Sequence, residues 1–96
     1  MKGTEKQIAW ATEIQVKVVS AIHVMMDGAK AQAAGHPEMA DKLSKAMAAY
    51  DELLRKVTSC ERAGDMIDVF RDVKDGSDWR GVLAAIKVGD PDHIFH

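Results

Sequence analysis

The chain is poor in several residue types that would have narrowed its function. Cys60 is the only cysteine, so no intrachain disulfide can form. That fits a reducing compartment, and a cytoplasmic location is the expectation. Pro37 and Pro91 are the only prolines, and five aromatics are spread over 96 residues. No stretch approaches the roughly 20 apolar residues of a membrane span. The opening residues show no basic region followed by an apolar run and a cleavage site. Strict apolar–polar alternation is missing throughout, which argues against strands. There is no internal repeat and no low-complexity segment. A net charge of −2 gives no general attraction to nucleic acid or anionic lipid.

The remaining composition is ordinary for a folded chain. Hydrophobic residues make up 47% and charged residues 29%, a balance that excludes a disordered polyelectrolyte. Ala, Met, Leu, Ile and Val dominate the apolar set, which favours helix packing. The length suits one helical domain over residues 1–96.

Thr4 and Gln7 have the spacing of a capping box, and Glu5 follows in the first turn. Ile8, Ala11, Ile14, Val18, Ile22, Met25 and Ala29 then recur at helical spacing, and Trp10, Val16, Val19, Val24 and Met26 widen the apolar face. Asp27-Gly28 is one place where this helix could stop. The good helix formers from Ala29 to Ala34 favour an unbroken helix to about Ala34, with Gly35 and His36-Pro37 beyond it. Pro37 suits the first position of a second helix. The apolar stripe of that helix is Met39, Leu43, Met47, Tyr50, Leu54 and Val57, broadened by Ala46 and Leu53. A short linker predicts an antiparallel hairpin.

Ala63-Gly64 interrupts the pattern. Asp65 is the expected cap of a third, short helix bearing Met66, Ile67, Phe70 and Val73. Ser77 or Asp78 is expected to cap a fourth, bearing Trp79, Val82, Leu83 and Ile86 and ending at Gly89. Asp90 to His96 reads as a tail that packs through Ile94 and Phe95 or frays. The predicted fold class is all-α: a long antiparallel helical hairpin with two short C-terminal helices packed against it.

Gly3-Thr4-Glu5-Lys6-Gln7-Ile8-Ala9-Trp10-Ala11 resembles the start of a group of small proteins of phages and mobile elements in Gram-positive gut bacteria. Their N-termini read like "GSEKQIAWAE". A later Trp-Trp-Ile-Asp-like segment of that group has its counterpart in Asp65-Met66-Ile67-Asp68, which keeps Ile-Asp and lacks both tryptophans. The resemblance implies a genomic setting rather than a chemistry.

No catalytic, cofactor or metal motif stands out. His93 and His96 are three apart but follow Pro91, and no Cys-x-x-Cys or His-Glu-x-x-His links them to His23, His36 or Cys60. Lys56 and Arg62 are near enough in sequence to activate Cys60, yet a lone cysteine by a helix end is usually a small hydrophobe. The glycines are scattered, and the Asp72–Asp78 turn does not fit a calcium loop. No enzyme and no cofactor is expected.

Two features suggest surfaces instead. Glu61, Asp65, Asp68, Asp72 and Asp75 recur at four, three, four and three, so one helix carrying all five would present an acidic stripe. Such a stripe suits a basic partner, including a protein that itself binds nucleic acid. The apolar surface from Ile8 to Met26, centred on Ile14, Val18, Ile22, Met25 and Met26, suits self-association. The leading expectation is a non-enzymatic interaction protein, in one version a phage or mobile-element inhibitor of a bacterial defence protein. The alternative is a small nucleic-acid-binding regulator using Trp79, Arg80 and Lys87, against which stand an acidic C-terminal third and no basic patch.

Overall fold

A computed structural model describes residues 1–88, with the side chains of Lys87 and Val88 excepted. Helix α1 runs over Glu5–Gly35, α2 over Ala40–Thr58, α3 over Ala63–Phe70 and α4 over Trp79–Val88. A 3-10 turn, Pro37–Met39, joins the first two. No strand occurs among the described residues, and the fold is all-α. The expected stop at Gly89, the tail contacts of Ile94 and Phe95, and His93 and His96 lie outside the described residues.

The first helix starts as its capping box dictates. The Gln7 N–H donates to Thr4 Oγ1 at 3.1 Å, and the Thr4 N–H donates to Gln7 Oε1 at 3.0 Å. The helix then continues for 31 residues, through Gly28. That is roughly 46 Å at ~1.5 Å per residue, and it accounts for the molecule's 48 Å long axis. Ala11, Ile14, Val18, Ala21, Ile22, Met25 and Ala29 form its buried row. Trp10, Val16 and Val24, expected to widen that row, face water instead, Val16 most of all at 65% exposed. The reason is angular: Val16 lies nearly opposite the buried row on the helical wheel.

The Pro37 ring begins the 3-10 turn, and α2 returns antiparallel to α1. Its C-terminal end reaches back beside the first half of α1, where Gln15 Nε2–H donates to the Val57 carbonyl at 2.8 Å. Leu43, Leu53 and Val57 are the buried residues of α2.

Helix α3 begins three residues earlier than expected, with Arg62 rather than Asp65 at the cap position. The chain at Arg62 is extended and pairs with Lys2 in an isolated parallel bridge. The Lys2 N–H donates to the Glu61 carbonyl at 2.6 Å, and the Ala63 N–H donates to the Lys2 carbonyl at 2.9 Å. This backbone contact satisfies one of the free N–H groups of the first turn, that of Ala63, and Asp65 falls in the same turn, where the helix dipole favours an acid. Ala63, Met66, Ile67 and Phe70 pack inward against α1.

Asp78 caps α4. Its Oδ1 accepts from the Gly81 N–H at 3.1 Å and its Oδ2 from the Lys74 N–H at 2.9 Å. A Cβ at Gly81 would crowd the Asp78 carboxylate and push the cap aside. Gly76, in the preceding loop, lies so close to α1 that a Cβ would come within 2.8 Å of Ser20 Oγ. Phe70, Ile22, Met66, Val18, Val57 and Val82 are the largest fully buried side chains, and all four helices meet around them.

Candidate functional site

The five acidic residues do not form one stripe. Only Asp65 and Asp68 lie on α3. Glu61 precedes it in the bridge with Lys2, and Asp72 and Asp75 follow it in the loop. The condition for a stripe was one helix long enough to carry all five, and α3 has eight residues. Asp75 is also engaged locally. It accepts from the Ser77 N–H at 2.8 Å and from Ser77 Oγ at 2.7 Å. These bonds hold its carboxyl below the usual range.

The expected self-association face is likewise not a surface. Ile14, Val18, Ile22 and Met25 are buried in the core of the chain itself, with Met26 partly buried beside them. Helices α2, α3 and α4 all pack on α1 and cover that row. Helical periodicity alone does not decide whether a second copy or the short helices would do so.

Cys60 sits at the junction of α2 and α3, in a polar cleft with Lys2, Arg55, Lys56, Ser59, Arg62 and Asp65. The neighbouring cations do not activate it. Burial pushes the thiol up, Asp65 pushes it the same way, and backbone hydrogen bonds at Arg62 and Met66 only partly oppose this. The cleft's Arg55 is committed to Glu52 one turn away. Among the described residues no group of three or more His, Cys, Asp or Glu is placed to hold a metal ion. His36 Nδ1 lies 3.3 Å from Glu38 on the exposed turn. No helix of the described residues is long and apolar enough to cross a membrane.

The feature that stands apart is an apolar trough on the other side of the molecule. Both α2 and α4 pack on α1 but barely touch one another. The gap between them is about 350 Å³. Its floor is α1, with Val24, Met25, Gly28, Ala29 and Gln32. One wall is α2, with Leu43, Ala46 and Tyr50, and the other is α4, with Trp79 and Leu83. Small residues at 28 and 29 keep the floor low, and Ala46 keeps the α2 wall back. A Cβ added at Gly28 would meet nothing within 4 Å. Of the large hydrophobics that face water, Val24 (41% exposed) and Trp79 (37%) line this trough, and Met39 (39%) lies one turn before Leu43.

The Arg80 guanidinium lies over the Trp79 ring, 5.3 Å from its centroid. Trp79 and Arg80, which sequence reasoning offered to a phosphate backbone, are thus engaged with each other at the start of α4. The Lys87 side chain is outside what is described. Sequence reasoning missed the trough. The one available sign was Gly28, a costly residue in the middle of a helix whose other positions are good helix formers. Comparison with protein-family models, with curated proteins and with solved structures finds no match to this chain.

Proposed function

We propose that the protein is a non-enzymatic interaction module that engages another protein through the trough over Gly28. The observation that supports this reading is the gathering of exposed apolar side chains, Val24 and Trp79, at a groove floored by small residues. Scattered exposed hydrophobics are normal on a soluble surface, whereas a cluster around a concavity is the usual mark of a contact site. The two surfaces expected from sequence are weaker supports, since one is broken into three segments and the other is core. In the setting that residues 3–11 imply, the partner is a bacterial defence protein and the chain is its mobile-element inhibitor.

Site-specific photocrosslinking in the native cell tests the reading. A benzophenone amino acid replaces Gln32, exposed on the trough floor, or Val16, exposed on the far side of α1. The expected result is one discrete protein adduct from position 32 and none from position 16. Equal adducts from both positions, or none from either, would overturn it.

A further inference from the structure

We infer that the occupant of the trough is a single amphipathic α-helix of the partner, with a large apolar side chain seated over Gly28 and an acidic residue set against Arg80. This rests on the reading of the trough as the interaction surface.

Three observations select that occupant. The first is area. Val24 and Trp79, the exposed large hydrophobics that line the trough, are 41% and 37% exposed and leave on the order of 150 Å² of side-chain surface in water. A stable dimer needs about 800 Å² on each partner. The patch is too small to hold a second copy of the chain, and it suits one element of secondary structure.

The second is shape. The floor runs from Val24 to Gln32 along one row of α1, a length of ~12 Å. That matches the span of apolar residues at i, i+4 and i+7 on a docking helix. Both walls are helices, so the incoming element completes a layer of helix on helix. A small apolar molecule fits poorly, because Gly28 and Gln32 are themselves exposed and such a ligand would stay largely wet.

The third is charge. Arg80 lies over the ring of Trp79, itself a lining residue of the trough, and has no carboxylate partner among the described residues. It complements an acid beside the apolar row of the incoming helix.

The test is selection of displayed peptides of about 16 residues, or ~24 Å as a helix, on the full chain. Recovered peptides are then measured against Gly28→Leu, Gly28→Ala, Arg80→Glu and Val16→Lys. We expect peptides with apolar residues at i, i+4 and i+7 that become helical on binding. Affinity should fall roughly tenfold or more with Gly28→Leu and about two- to fivefold with Arg80→Glu, and stay unchanged with Val16→Lys. Gly28→Ala, the milder block and a safe variant for folding, should give an intermediate loss.

Peptides that respond to Gly28→Leu but bind extended, without helical spacing, would overturn this inference and leave the interaction reading standing. Peptides indifferent to both Gly28 variants, or no binders, would overturn both. So would an anilinonaphthalene sulfonate probe that binds in a Gly28→Leu-sensitive way when no peptide does.

Discussion

Replacing Gly28 by Ala should stabilise the protein, and the sign of the effect follows from where α1 ends. Gly28 lies inside a helix that continues to Gly35, and its φ is not positive. An interior glycine costs about 0.5–1 kcal/mol relative to alanine, chiefly through the freedom it loses on folding. The new methyl group would meet nothing within 4 Å, so no strain offsets the gain. Full gain in a domain of this size corresponds to a rise in Tm of roughly 2–8 °C. Thermal unfolding followed by circular dichroism at the helical minimum reads it directly. The contrasting case is a helix that stops at Asp27-Gly28, with Gly28 as a left-handed C-terminal residue. There alanine would destabilise, because a Cβ is disfavoured at positive φ. A lowered Tm, or loss of helical signal at low temperature, would therefore refute the continuous α1. Gly76→Ala is the built-in control. Its Cβ would press within 2.8 Å of Ser20 Oγ, and the same substitution should there be destabilising.

Other substitutions probe the remaining joints. Phe70→Ala removes the largest fully buried side chain at the meeting of α3 with α1 and should cost about 3–5 kcal/mol in denaturant unfolding. Asp78→Ala removes the cap of α4 and a tie to the Lys74 N–H, with an expected loss of about 1 kcal/mol and faster amide exchange at Gly81 and Val82. Cys60, whose thiol is pushed up by burial, should react with iodoacetamide at pH 8 several-fold more slowly than a free cysteine, and should match it only after denaturation.

Much of the fold is legible in local sequence. The Thr4–Gln7 box, the good helix formers after Gly28, the α2 stripe and the Asp78 cap each depend on residues within a few positions of one another. Local physics decides such features. The start of α3 depends instead on Lys2, which comes from 60 residues away to pair with Arg62, and no spacing rule contains that contact. For the same reason the acidic periodicity from Glu61 to Asp75 misled: regular spacing makes a stripe only on a continuous helix, and α3 stops at Phe70.

The proposed interaction site was less legible still. Periodicity correctly gathers Ile14, Val18, Ile22 and Met25 on one face, but it does not say whether a second copy or the chain's own short helices cover that face. The structure gives the face to the chain itself. The trough arises because α2 and α4 each pack on α1 while barely touching one another, a relation between elements far apart in sequence. Gly28 alone hinted at it, and a glycine in a helix has many causes. Val16 completes the lesson, since apolar character placed it on the core side while its angular position left it in water.

Amide chemical-shift mapping with a bound helical peptide addresses the contact surface residue by residue. Perturbations should concentrate at Val24–Gln32 on α1, Leu43–Tyr50 on α2 and Trp79–Leu83 on α4, with Val16 and the segment 61–75 silent. Perturbations centred on Asp65, Asp68 and Asp72, with the three trough segments unmoved, would contradict it.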